Sequence, residues 1–300
     1  MAEKIPTIIS PREGESVKLL RAEHLRFLEE PQVDVEERLD WKTMEASGTD
    51  FTSPLPVKVR YLPEIDADVY LSLSPTMEYS VISKGVGGKA EFINLFIGRR
   101  YYLRAESTGG CSRTISFDTD SRPPRLMKIA GMYNFRDLGG RIAAEGKKVR
   151  QGLIYRGCEP NGHTDIEENG IKELMHLGLM TELDLRGIGD QAQRSINEIS
   201  YVNIPIRPYS EIFEPRIMIQ YRRLFRFLLD ESAYPLFFHC WGGADRTGTL
   251  AFLICGLLGV PEDDLIMDYE FTSFMLWGKR SRYLEVAADG VRELKRRYGE

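Results

Sequence analysis

The chain has 300 residues, 42% hydrophobic and 28% charged, an ordinary globular composition long enough for two domains that excludes collagen-like, coiled-coil and wholly disordered classes. Forty basic against 45 acidic residues leave a net charge of −5, so no global field calls for nucleic acid or an anionic membrane, and an anionic ligand has to be gathered locally. Four cysteines are too few and too scattered for a disulfide scaffold or a Cys-x-x-Cys metal site, and are read singly as thiols.

The opening Met1-Ala-Glu-Lys-Ile-Pro6 has no apolar stretch behind its lysine, so no secretory signal is expected; the longest apolar run, Leu250 to Val260, is too short for a membrane span. A cytoplasmic protein is the expectation. Up to about residue 120 the chain alternates polar and apolar residues in short stretches: 57–62, 68–73, 79–82, 101–105 and 112–117. Period-2 alternation of β-branched and aromatic residues between Gly, Pro and Ser predicts half-buried antiparallel strands, and so an all-β sandwich. Within it, Asn94-Leu-Phe-Ile-Gly-Arg-Arg-Tyr-Tyr-Leu-Arg-Ala105 resembles the stretch of fibronectin type III-like domains in which a leucine, a glycine and a tyrosine lead into a late strand. Residues 33–53 are charged and follow neither period, so they read as an irregular insertion or long loop.

Asp118 to Lys128 carries Pro123-Pro124 among small polar residues and breaks both patterns, which puts a domain boundary there, with a β-rich domain over 1–122 and a second domain over 123–300. Beyond it, strand and helix patterns alternate. Thr164-Asp-Ile-Glu167 fits a capping box ahead of an amphipathic helix through Leu177, and 180–185 and 201–206 read as strands. Helical spacing covers 216–229, Leu236-Phe-Phe-His239 is a short apolar strand, and 247–258 is an almost wholly apolar helix. Helices near 262–274 and 281–298 follow, and the whole predicts an α/β domain with a mostly parallel sheet.

The junction after the apolar strand reads His239-Cys-Trp-Gly-Gly-Ala-Asp-Arg-Thr-Gly-Thr249. A strand, a glycine turn and a helix N-terminus place successive backbone N–H groups and the helix dipole around one point, which suits phosphate. A loop curled around a tetrahedral anion puts Cys240 beneath phosphorus and Arg246 across two of its oxygens. The planar guanidinium binds phosphate bidentately, and the surrounding positive field favours a nucleophilic thiolate.

His239-Cys240-x-x-Gly243-x-x-Arg246-Thr247 resembles the signature loop of cysteine-dependent protein tyrosine phosphatases. Asn134-Phe-Arg-Asp-Leu-Gly-Gly140, Gly152-Leu-Ile-Tyr-Arg156 and Leu183-Asp-Leu-Arg186 resemble the bacterial tyrosine phosphatase branch related to the mycobacterial secreted phosphatase, some members of which also hydrolyse phosphoinositides. The resemblance covers about Pro124 to Phe274 and implies a cysteinyl-phosphate mechanism without a cofactor, on a phosphotyrosyl protein or other phosphomonoester. Cys240 is then the nucleophile, and Arg246 with the amides of Trp241, Gly242, Gly243, Ala244, Asp245 and Arg246 binds the phosphate. Thr247 eases breakdown of the intermediate and His239 orients the loop. No Trp-Pro-Asp is present to supply a general acid; the branch implies Asp245, with Asp184 or Asp190 as second choices. Relatives with phosphoinositide activity often carry lysine where this chain has Ala244, which favours a single aryl phosphomonoester.

Arg136 and Asp137 read as structural, the aspartate accepting backbone N–H bonds in a glycine-ended turn, with a direct catalytic role as the alternative. Arg186 either touches substrate or pairs with a carboxylate. Cys111, Cys158 and Cys255 read as strand or core residues. His24, His163 and His176 have no ligand spacing, so no metal is expected, and Lys279-Arg-Ser-Arg282 reads as a solvated helix face. Rival expectations are an inositol-phosphate or phosphoinositide phosphatase, a phosphate-binding interaction module without catalysis, and a rhodanese or arsenate reductase. The last commonly needs a second cysteine near Cys240, and none lies within ten residues of it.

Overall fold

Residues 4–190, 192–275 and 278–298 are described by the computed structural model. They form two units, Met1–Arg21 with Pro54–Arg125, and Ala22–Ser53 with Leu126–Glu300.

In the first unit alternation becomes strand. The unit holds β1 (Thr7–Ser10), β2 (Glu15–Val17), β3 (Val57–Leu62), β4 (Ala67–Ser72), β5 (Val81–Gly85), β6 (Lys89–Phe92), β7 (Arg100–Ser107), β8 (Gly110–Cys111) and β9 (Ile115–Thr119). On β3 every second residue, Val57, Val59 and Tyr61, is buried while Lys58, Arg60 and Leu62 face out. A one-residue slip would bury the charges, so the pattern fixes the register. One sheet runs β1-β3-β6 and the other β2-β9-β7-β4-β5, and side chains of both, Val59 and Phe92 from one and Val69, Leu103 and Phe117 from the other, share one core. Face-to-face sheets with a common apolar interior make a sandwich.

The second unit begins with a correction. Ala22–Ser53 contains α1 (Ala22–Glu29), α2 (Val35–Arg38) and α3 (Trp41–Ala46), and it belongs to the second unit rather than carrying an irregular insertion at 33–53 within a β-rich domain over 1–122. Helices of four to eight residues are too short to show a hydrophobic period. Side-chain caps hold two of them: Asp34 accepts from Glu36 N and Asp40 from Thr43 N. Packing supplies the rest. Phe27 lies edge-on to Phe271 and Phe274 at 5.8 and 5.1 Å, and Arg38 Nη2 donates to the buried Glu270 at 2.5 Å.

The remaining elements are β10 (Arg125–Leu126), β11 (Arg136–Asp137), β12 (Ile154–Gly157), α4 (Glu168–His176), β13 (Thr181–Asp184), β14 (Ser200–Asn203), α5 (Pro215–Phe227), β15 (Leu236–His239), α6 (Asp245–Leu257), α7 (Glu262–Phe271) and α8 (Glu285–Tyr298). Strand order in the mixed sheet is β10-β11-β12-β15-β13-β14; β12, β15, β13 and β14 are parallel, and β11 is antiparallel to β12. The predicted capping box is not used. Helix α4 starts only at Glu168, because the Thr164 hydroxyl donates to the carbonyl of Glu159 in the preceding loop. Central β15 is buried on both faces: Leu236 and Phe238 enter one core, Phe237 the other. Its C-terminal end, where α6 begins, is the kind of position at which parallel α/β sheets bind ligands. No described helix is long and apolar enough to cross a membrane.

Candidate active site

Residues 240–244 connect β15 to α6, and their neighbours decide which way each peptide faces. The Cys240 carbonyl lies 3.1 Å from His239 Nδ1, and the Trp241 carbonyl accepts from Glu159 N at 2.7 Å. Asn134 Nδ2 donates to the carbonyls of Gly242 and Gly243 at 3.0 and 3.2 Å, and Arg156 Nη2 donates to Gly243 O at 2.6 Å. In a trans peptide the N–H points opposite to the C=O. Carbonyls so bonded from 240 to 243 therefore turn the N–H groups of 241 to 244 the other way, an arrangement able to face an anion.

Gly243 makes the curl possible. Its φ is +67°, and a Cβ there would sit 2.2 Å from the carbonyl oxygen of Gly157 on the neighbouring strand. Only glycine satisfies both the left-handed backbone and the close approach.

The predicted site residues take these positions. Cys240 opens the loop with 3% exposure, and Trp241 is half exposed, its ring 4.3 Å from that of His163. Ala244 is buried just ahead of α6. Thr247 is fully buried in the first turn of α6, and its hydroxyl has no hydrogen-bond partner among the described residues. His239 is fully buried with Nε2 3.1 Å from Glu182 Oε1, and Glu182 in turn accepts from the amides of Ser195 and Ile196. Both ring nitrogens thus face acceptors, which fixes the orientation of the ring.

Asp245, in the first turn of α6, accepts hydrogen bonds from the Tyr209 hydroxyl and from Arg280 Nε and Nη2 at 2.8 and 3.1 Å. Burial, the adjacent Tyr269 and Asp245 itself hold the Tyr209 hydroxyl far above the ordinary tyrosine value, so it remains a donor. Arg246 Nη1 meets Asp190 Oδ2 at 2.5 Å. Asp184 is buried against Arg186, whose backbone N, Nε and Nη2 all donate to it at 2.9 to 3.2 Å, and it accepts from the Tyr201 hydroxyl. Arg186 also reaches Glu159 at 2.5 Å, so it pairs with two carboxylates, and Glu159 in turn donates its N–H to the Trp241 carbonyl of the loop. Asp137 lies at a glycine-ended turn, its two oxygens accepting from Gly139 N and Gly152 N at 2.7 and 2.6 Å. Cys158 and Cys255 are buried, with their thiols pushed up to about 11 by that burial, whereas Cys111 is exposed on β8.

Four features were not foreseen. The segment 279–282 is no solvated helix face: it precedes α8, Arg280 clamps Asp245, and Arg282 pairs with buried Glu270 at 2.9 Å. Asp268 on α7 gathers the buried guanidiniums of Arg136, Arg141 and Arg156 at 2.9, 2.5 and 2.6 Å, and Arg156 carries that anchorage to the Gly243 carbonyl. Burial alone would raise the Asp268 carboxyl, but the three guanidiniums outweigh it and hold it far below the ordinary aspartate range. Asn134, at φ +56°, and Glu159 hold the loop from its other side. Only the position of Asn134 in a motif next to glycines hinted at such a role; the other partners are distant in sequence. Among the described residues no cluster of His, Cys, Asp and Glu is arranged to hold a metal.

A family model described as the tyrosine phosphatase family matches residues 127–296. A protein of Cupriavidus necator named as a candidate tyrosine-protein phosphatase is 29% identical over 163 residues, covering 45% of this chain and 59% of its own length. A tyrosine-protein phosphatase of Nostoc commune is 32% identical over 60 residues, 20% of each chain. This chain thus matches about three fifths of the first curated relative and a fifth of the second. The core catalytic domain of the PP-IP phosphatase SIW14 from S. cerevisiae aligns over 53% of this chain and 92% of its own at 15% identity, with a TM-score of 0.32. With more than half of its residues matched by that model, the chain belongs to the tyrosine phosphatase family.

Proposed function

We propose that the protein hydrolyses phosphomonoesters, phosphotyrosyl proteins first among them, through a cysteinyl-phosphate. The observation that carries this is the outward locking of the carbonyls of 240–243 at the N-terminus of α6, with Cys240 inside the loop and Arg246 one turn beyond. In the first step the Cys240 thiolate attacks phosphorus, an S–P bond forms, the P–O bond to the substrate oxygen breaks, and that oxygen takes a proton from Asp245. In the second, water attacks phosphorus, gives a proton to Asp245, and the S–P bond breaks to release phosphate and thiolate. The loop amides and Arg246 hold the equatorial oxygens throughout, where most of the catalysis of phosphoryl transfer resides. The partnerless hydroxyl of Thr247 is available to the returning sulfur, and Asp245 becomes the proton donor by leaving the ion pair with Arg280 seen here.

Aryl phosphates are the preferred class because Ala244 offers no cation to a further phosphate. The presence of Cys240, Asp245, Arg246 and Thr247 together favours an enzyme over a phosphate-binding module. A fibronectin-like character for the first unit is supported by its two-sheet core and by the Leu-Gly-Tyr stretch before β7. A thiolate mechanism fits a reducing, cytoplasmic setting. The test is turnover of a phosphotyrosyl peptide beside a phosphoinositide. Wild type is expected to favour the peptide, and Cys240→Ser to abolish turnover while still binding phosphate; full activity in Cys240→Ser would overturn the mechanism.

A further inference from the structure

Arg246 already holds an anion. Its Nη1 donates to Asp190 Oδ2 at 2.5 Å, in a pair whose side chains are 16% and 31% exposed. Asp190 ends the one-turn 3-10 helix Ile188–Asp190 just after Arg186 and Gly187. Its Oδ2 also accepts from Gly187 N at 3.2 Å, and its own N–H donates to Gly187 O at 3.0 Å, so a tight turn delivers the carboxylate to the guanidinium. Arg246, Asp190, Arg207 and Arg216 line one cleft of about 490 Å³. Partial burial works against the charge on Asp190, but the hydrogen bonds from Arg246 and Gly187 and the fields of Arg246 and Arg207 hold its carboxyl below the ordinary aspartate value, ionised at neutral pH.

A carboxylate oxygen and a phosphate oxygen are like acceptors for a guanidinium N–H, and two anions cannot occupy the same edge without repulsion. We propose that Asp190 is an internal ligand of Arg246 that the incoming phosphate must displace, so that this residue sets the affinity of the site for phosphate. Arg207, on the same cleft and already acting on Asp190 through its field, is a cation placed to receive the displaced carboxylate. The proposal rests on the phosphate-cradle reading of the loop and deepens it. A residue that positioned Arg246 for phosphate, or that served only as a proton donor, would not weaken phosphate binding by its charge.

The test titrates inorganic phosphate into Cys240→Ser, which cannot turn over, and into the same chain carrying Asp190→Asn or Asp190→Ser. Both replacements retain an acceptor for Gly187 N, and thermal unfolding checks that they fold. Phosphate is expected to bind about two- to fivefold more tightly in both double variants, the order of a partly exposed ion pair removed from competition. Equal or weaker binding overturns the proposal, as does an absence of phosphate binding in all three chains. Turnover by the wild type is scored separately: an active enzyme with unchanged phosphate affinity rejects the role of Asp190 alone. Tighter binding in a chain that never turns over upholds it and rejects the enzyme.

Discussion

Gly243 shows how one residue decides whether the loop proposed to bind phosphate can form. Its positive φ and its Cβ position against Gly157 O leave no room for a side chain, and its carbonyl receives Arg156 and Asn134. Gly243→Ala is expected to shift the loop by enough to cost on the order of 100-fold in kcat/KM on an aryl phosphate, the penalty of an ångström-scale misplacement. Steady-state kinetics checks it, and activity within twofold of wild type would contradict the role given to this glycine. The roles proposed for Cys240, Arg246 and Thr247 are read from one nonapeptide that holds all three, and the turn contacts of Asp137 were legible because an aspartate close before two glycines has few other uses. Asp245 was legible as a position, but its clamp by Tyr209 and Arg280 was not, since 36 and 35 residues separate them. The charge run at 279–282 misled for a related reason: composition alone does not distinguish a solvated cation from one aimed at a buried carboxylate.

At the scale of elements, α7 holds the loop in place without touching its interior. Asp268 binds the guanidiniums of Arg136, Arg141 and Arg156, brought from β11, the segment after it, and β12, and Arg156 passes the constraint to Gly243. Asp268→Asn leaves three buried cations short of a counter-charge and is expected to cost about 3–5 kcal/mol at pH 7. The folded carboxyl lies far below the unfolded value of about 3.9, so its contribution is complete above about pH 5 and is lost as the pH falls through and below the unfolded value. The stability gap between wild type and Asp268→Asn should therefore narrow from pH 5 toward pH 2. Denaturant unfolding at stepped pH measures it, and a gap that stays constant would remove the buried charge as its cause. Strands with strict alternation, such as β3, were legible to the residue; α1 to α3 were not, because each is shorter than the window in which a helical period can be seen, and α1 and α2 are held by Phe271, Phe274 and Glu270 from far along the chain.

For the molecule as a whole, the proposed function asks a mildly acidic chain to bind an anion by local means. The net charge of −5 is no obstacle to that proposal, because outward-bonded carbonyls, a helix N-terminus and one arginine lie together at the end of a buried strand. Family membership rests on residues 127–296, which lie in the second unit, and the same unit contains the loop and the contacts proposed to support it. The proposed mechanism passes phosphate through sulfur at Cys240. The most direct measurement is rapid acid quench of the full chain during turnover of an aryl phosphate, followed by mass mapping of phosphorylated peptides. A phosphoryl group on Cys240 that forms within the first turnover and decays with it is the predicted result; turnover with no phosphoryl group on Cys240, or with one on another residue, would contradict the account.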